Sequence, residues 1–368
     1  MIYLCLALPT LVGIQKLAVF LLMLSVLIVL HEYGHFLIAR LCRVRVNDFA
    51  VGFGPTLLKW TSPRSGTNYR VNMLPLGGYC AMQGEDGKEQ AAIGEGDNYQ
   101  VKTPWQRLAI VLAGPIANFV LAFAILAVSA LTFGVPGDTF TPMIGQVTPG
   151  SPGARAGLQF GDRVLAVNGV AVDGETMVRK IQASAGIALR FRVLRNGEPR
   201  ELLVTPKSVP DEHGKMVSRV GFQRIQEYRR IAPIAAVKTA AQEFALIFNG
   251  TFEGLAQLVT DPIKHYGNAV GIIGMERAAS ALQDLGWGPY FGLAASLSIA
   301  LGIFNLLPVP ALDGGRGLFI IIELLRGRPV DPEREAFVHV AGFALLMALM
   351  VLVAFHDIAG IISGKGVF

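Results

Sequence analysis

The chain has 368 residues, of which 52% are hydrophobic and 16% charged, and its mean hydropathy of +0.48 is more apolar than a soluble domain of this size ordinarily carries. The net charge of +5 needs no nucleic-acid partner, because Lys and Arg flanking membrane spans account for it. Cys5, Cys42 and Cys80 are odd in number and scattered, which excludes a disulfide framework and a thiolate metal site.

The first apolar segment runs from about Leu11 to Leu41 and carries His31-Glu32-Tyr33-Gly34-His35 near its end. No small-residue cleavage site closes the run Leu17–Leu30 and no Arg-rich leader precedes it, so it reads as a retained span. In the region 42–103, Gly52-Phe53-Gly54-Pro55 and Pro75-Leu76-Gly77-Gly78-Tyr79 punctuate short apolar runs, and 68–83 reads as a hairpin or looped strand pair. A second span follows at about Leu108–Val135, with Asn118 as its single strongly polar residue.

Residues 141–226 change character. Turn signals at Pro149-Gly150-Ser151-Pro152 and Asn168-Gly169, a short helix at Ala154–Leu158 and alternating stretches predict a small α/β domain. Its stretch GSPGARAGLQFGDRVLAVNGV resembles a bacterial PDZ domain, in a single copy. Residues 228–288 are rich in helix formers and read as amphipathic helices on the membrane surface or as a packed helical linker. Third and fourth spans are expected at about Pro289–Leu307 and Ala336–Phe355, each close to the roughly 20 apolar residues a spanning helix needs. The connections after the first and third spans are both basic, which places them in the cytoplasm and the termini and segment 136–288 outside.

His31-Glu32-Tyr33-Gly34-His35 fits H-E-x-x-H. On a helix, residues i and i+4 share a face, so both imidazoles reach one Zn²⁺ while the Glu beside them takes a proton from water. The alternative is a polar helix end, but three such residues in a membrane helix are expensive to bury without a purpose. A catalytic zinc needs a third protein ligand. His213, His265, His339 and His356 lie in no metal motif. Asp313 is the better candidate, in Asn305-Leu306-Leu307-Pro308-Val309-Pro310-Ala311-Leu312-Asp313-Gly314-Gly315, where the prolines break the helix and the glycines let the chain turn.

H-E-x-x-H, N-x-x-P-x-P-x-L-D-G-G and a PDZ-like segment between them resemble the site-2 protease family of intramembrane zinc proteases, and within it the RseP-type regulators of sigma-factor signalling. The resemblance covers nearly the whole chain. It implies a polytopic α-helical membrane protein with four transmembrane helices, a membrane-associated β-hairpin and one inserted PDZ-like α/β domain. The expected division is 1–41 first span, 42–103 hairpin region, 104–135 second span, 141–226 PDZ, 228–288 linker, 289–310 third span, 311–333 cytoplasmic LDGG loop and 334–357 fourth span. By position, His31, His35 and Asp313 would hold Zn²⁺ and Glu32 would be the catalytic base. Asn305 would contact the substrate backbone or the developing oxyanion, with interhelical hydrogen bonding as the alternative role for both Asn305 and Asn118. Gly77, Gly78 and Tyr79, in the hairpin, would bind substrate.

The implied substrates are transmembrane proteins already shortened by another protease, such as an anti-sigma factor or remnant signal peptides. The implied location is the bacterial inner membrane, with the lipid bilayer and an unidentified PDZ ligand as partners and no nucleic acid. RseP-type proteins often carry two PDZ domains, and this chain departs from them in carrying one. A non-catalytic scaffold should have lost Glu32 or a ligand, and a membrane zinc protease cutting loops outside the bilayer has no need of the remote Asp313 motif.

Overall fold

The computed structural model describes residues 2–85, 96–195, 197–210, 216–261 and 271–362. The chain forms two compact units, one of Met1–Ser129 with Val237–Phe368 and the other of Ala130–Ala236.

Helix α1 (Ile2–Leu41) is apolar almost throughout. It ends where Arg43 takes φ +58° and the Val44 N–H reaches back to the Ala39 carbonyl, a left-handed cap that satisfies the last carbonyls. Strands β1 (Val46–Thr61) and β2 (Asn68–Met82) follow as one antiparallel hairpin. The hairpin is therefore longer than the 68–83 segment suggested by the sequence, whose residues form mainly its second strand. Both strands fold back on themselves: Asp48–Val51 pair with Asn68–Val71 on one side and with Gly78–Ala81 on the other. The segment Gly78–Met82 is thus an edge, and it lies beside α1.

Helix α2 (Pro104–Thr132) begins with a capping box. Thr103 Oγ1 accepts from the Gln106 amide at 3.3 Å, and Gln106 Oε1 accepts from the Thr103 amide at 3.1 Å. Helix α1, the hairpin and α2 meet around Ala39, Val44, Val46, Cys80, Met82 and Ile110.

The second unit has strands β3 (Val135–Val147), β4 (Arg163–Val167), β5 (Leu189–Arg195), β6 (Glu198–Val204) and β7 (Phe222–Arg229), joined in one sheet in the order β7-β3-β4-β5-β6. Its short helices α3 (Pro152–Arg155) and α4 (Gly174–Gln182) start on capping residues Ser151 and Asp173. Ile144, Val164, Val167, Met177, Phe191 and Val193 form its core. His213 lies outside the described residues.

Helices α5 (Pro233–Thr260) and α6 (Ile272–Leu285) occupy the region read as a surface or linker segment. His265 lies outside the described residues. From α5, Phe244, Ile247, Phe248 and Leu255 pack against Phe119, Ala122 and Leu126 of α2 and against Ala295, Ile299 and Ile303 of α7 (Trp287–Leu306). In α6, Ala279 packs on Phe20 and Tyr290, and Lys16 of α1 pairs with Asp284 at 2.6 Å. One apolar face of α5 is therefore partly covered by α2 and α7, while Ile234, Val237, Leu246 and Phe252 of the same helix stay exposed.

Helix α8 (Asp313–Arg326) replaces the loop expected at 311–333 for most of its length. The glycines after Asp313 mark a tight entry into the helix, and the apolar run behind them sustains it. Helix α9 (Pro332–Ile362) closes the chain. Among the described residues, four helices are long and apolar enough to cross a membrane: Gly13–Leu41, Pro104–Thr132, Trp287–Leu306 and Glu333–Val353.

Candidate active site

The α-helical period brings His31 and His35 onto one face of α1, and both are buried, at 6% and 8% exposure. Asp313 arrives from 278 residues further along, at the first turn of α8. The N-cap is Leu312, whose side chain cannot cap the helix, and the Asp313 carboxylate faces the two histidines. Gly314 and Gly315 allow the aim: a Cβ on Gly314 would collide with the Leu306 and Leu307 carbonyls, and one on Gly315 with the Val309 carbonyl.

The three side chains converge tightly. His31 Nε2 lies 3.0 Å and His35 Nε2 3.3 Å from Asp313 Oδ2, and the two Nε2 atoms are 3.2 Å apart. Burial works against ionisation of Asp313, and the two imidazoles hold its carboxyl below the usual carboxylate range only when their Nε2 atoms carry protons.

The protons decide what these contacts mean. His35 Nδ1–H donates to the Ile110 carbonyl at 2.8 Å, so in the neutral ring Nε2 carries a lone pair. The Asn118 amide faces His31 Nδ1 at 3.0 Å, and Asn118 Oδ1 has no hydrogen-bond partner among the described residues. Turned so that Oδ1 accepts from His31 Nδ1–H, the amide is satisfied and the second Nε2 also carries a lone pair. Asp313 Oδ2 likewise has no donor among the described residues. Three acceptor atoms then share one point, which only a cation can stabilise. Zinc ligands held at about 2.0–2.1 Å in tetrahedral array sit about 3.3 Å apart, close to the observed spacings. The donor set fits zinc.

The helix packing is built for this. A Cβ on Gly34 would strike the Ala113 carbonyl, and one on Gly114 would strike the His35 ring and approach His31. Within α2, Pro115 leaves the Val111 carbonyl without its helical donor, next to Ile110, which orients His35. Ser298 Oγ–H of α7 donates to the Asn118 carbonyl at 2.8 Å, tying a third helix to the site.

Glu32 lines a cavity of about 190 Å³ with His35, Asp313, Tyr79, Glu85 and Arg316. Arg316 and Glu85 form an ion pair there. Cys80 also borders it, but burial, together with Glu32 and Glu85, pushes its thiol pKa up, so it stays neutral. Gly78 lies close to Glu32, since a Cβ on it would come within 3.6 Å of Glu32 Cγ. Gly77 has φ +91° and no room beside the Phe53 ring, and Tyr79 stacks on Phe53. Asn305 is not brought to this cavity: it is on the last turn of α7, and its amide donates to the Leu301 carbonyl at 3.0 Å. Nothing in the sequence marked the Ile110 carbonyl or the Glu85–Arg316 pair, because a backbone acceptor has no residue signature and an ion pair between distant segments has no spacing.

Comparison with known proteins agrees with this chemistry. The profile of Peptidase family M50 matches residues 19–349. The chain is 30% identical to the zinc metalloprotease RasP of Geobacillus kaustophilus, over 94% of this chain and 98% of that one. It is also 30% identical to the regulator of sigma-W protease RasP of Bacillus subtilis, over 92% and 97%. A PDZ domain of an SdrC-like protein from Listeria innocua aligns with 25% of this chain and 98% of its own, at 15% identity and a TM-score of 0.21. A family match spanning the motifs from His31 to Asp313 leaves one conclusion: the chain belongs to Peptidase family M50, the site-2 proteases, and is a metalloprotease.

Proposed function

We propose that this metalloprotease cuts the membrane-spanning segments of other membrane proteins, within the bilayer. Its metal is zinc. The carrying observation is the convergence of Asp313 on buried His31 and His35, which lie in the second half of a 29-residue apolar helix. Ligands placed there serve a substrate that is itself in the membrane.

In this reading His31, His35 and Asp313 would hold the ion, which would supply Lewis acidity for activating a water molecule at neutral pH. Glu32 receives the proton of that water and passes it to the departing amine. The edge Gly78–Met82 captures the locally unwound substrate by strand addition: it has an unpaired side, it borders the cavity and Gly78 allows close backbone approach. Asn305 reaches the substrate backbone or the developing oxyanion only after its amide leaves Leu301.

Segment 141–226 acts as a PDZ domain that controls access and takes no part in chemistry. The protein resides in a bacterial inner membrane as four spans, with 42–103 and 311–333 in the cytoplasm and the termini and PDZ domain outside. Its substrates are membrane proteins first trimmed by another protease, such as an anti-sigma factor or a remnant signal peptide. The relation to a regulator of sigma-W protease supports the first of these.

The deciding experiment expresses Glu32→Gln in the native membrane, captures bound proteins and identifies them. Enrichment of single-span membrane proteins with shortened outer domains is expected. Recovery of soluble proteins alone would overturn the reading.

A further inference from the structure

Helix α9 touches the rest of the protein along one narrow stripe. Phe337, Val340, Phe343, Leu345 and Phe355 are exposed by 59% or more, while Glu335, His339, Gly342 and Leu346 are covered to different degrees. These four follow the i, i+4, i+7, i+11 pattern of a single helix face. The stripe meets the loop that delivers Asp313, and the helix also contacts α6. Gly342 sits so close to Pro310 that a Cβ on it would collide with the Pro310 carbonyl. His339 Nδ1 accepts a hydrogen bond from the Ala311 amide at 2.8 Å, and its ring rests against Phe319 of α8 at 5.6 Å between centroids.

The amides of this loop can be accounted for one by one. Pro308 and Pro310 have none. The Val309 N–H goes to the Leu307 carbonyl at 2.7 Å and the Leu312 N–H to the Val309 carbonyl at 3.2 Å. Ala311 is the residue whose amide is met from outside the loop. It is also a residue under strain, a non-glycine at φ +75°, where a Cβ is disfavoured and the conformation persists only if its surroundings hold it. Two residues later comes Asp313.

We infer that His339, on the last span, is a positioning residue for the metal site: by accepting the Ala311 amide it holds the left-handed turn that aims the Asp313 carboxylate. The inference rests on Asp313 being a zinc ligand. It gives the last span a role beyond crossing the membrane, since most of its surface makes no contact among the described residues that could fix the loop.

The test uses the full chain in detergent with zinc alone, measuring affinity by competition with a chromophoric chelator. His339→Phe keeps a ring beside Phe319 but removes the acceptor, and should weaken zinc binding by about tenfold or more. His339→Asn places a carbonyl oxygen near the position of Nδ1 and should recover most of that loss. Hydrogen exchange gives a second reading that needs no variant: the Ala311 amide should exchange slowly in the metal-free wild-type protein.

Wild-type affinity in a folded His339→Phe protein would overturn the inference. So would an Asn variant as impaired as the Phe variant, or a fast-exchanging Ala311 amide. Asp313→Ala separates the two levels of the argument: if it binds zinc as tightly as wild type, the ligand assignment itself is wrong, whereas a loss there with unaffected His339 variants removes only the positioning role.

Discussion

Two aspartates, one in each unit, have opposite surroundings: Asp162 is buried, and the Asp313 side chain is 20% exposed. Asp162 is fully buried and fully provided for. Arg195 Nε and Nη2 donate to its two oxygens at 2.7 Å each, and the Gln159 amide donates to Oδ2 at 2.9 Å. Arg195 also donates to the Gly157 carbonyl. The paired guanidinium has its pKa raised by that contact, and every charge has a geometric partner. Asp313 faces two imidazole nitrogens that, in the tautomers their other hydrogen bonds favour, offer lone pairs instead of protons. A saturated carboxylate stabilises a fold. A carboxylate among acceptors suits a cation and does little by itself to hold the fold together.

The comparison breaks first, and most severely, at the histidines. A His31→Ala/His35→Ala protein should hold no zinc and cleave nothing, and full zinc occupancy measured by elemental analysis would remove the metal assignment. Glu32→Gln should keep the metal while peptide cleavage falls by about 10²–10⁴-fold, the usual contribution of a positioned general base.

The two aspartates can then be exchanged for asparagine separately. Asp313→Asn should lower zinc affinity and leave the thermal stability of the metal-free protein unchanged or raised, because it adds a donor among crowded acceptors. Asp162→Asn should do the reverse. It should destabilise the Ala130–Ala236 unit by about 2 kcal/mol without altering zinc binding. A loss of zinc on Asp162→Asn, seen by the same titration, would mean that the two sites are coupled.

Smaller effects are expected where neither carboxylate is touched. Single proline substitutions across Gly78–Ala81 each remove a backbone donor from the sheet edge. They should retain zinc and cut intact helical substrates poorly, with less effect on substrates already carrying helix-breaking residues. Wild-type rates at every position would leave the edge a purely structural feature.

The mildest change should come from excising the second unit. Val135 pairs with Arg229 at its base, so a short Gly/Ser bridge can replace what lies between. Cleavage of a short, pre-trimmed substrate should persist, and long substrates should become cleavable. A folded, zinc-bound deletion protein that cuts neither form would show the unit to be required for catalysis.

What the sequence determined by itself follows from chemistry that is local along the chain. Apolar length marked the four helices long enough to cross a membrane, the 3.6-residue period put His31 and His35 on one face, and proline and glycine punctuation drew attention to Asp313 among 27 acidic residues. The long register of β1 with β2, the burial of α5 and α6 against the spans and the helix after Asp313 were misjudged or left open, because each depends on what lies opposite. Tertiary structure alone decided the rest. Ile110 orients His35 through a backbone carbonyl. Gly34 and Gly114 matter only because another helix passes within a methyl group's width. His339, which lies in no motif, acquires its partner from a loop 28 residues earlier. A hydrogen-bond donor or acceptor is encoded in the residue type, but whether it is satisfied is settled by the atoms that folding brings to it.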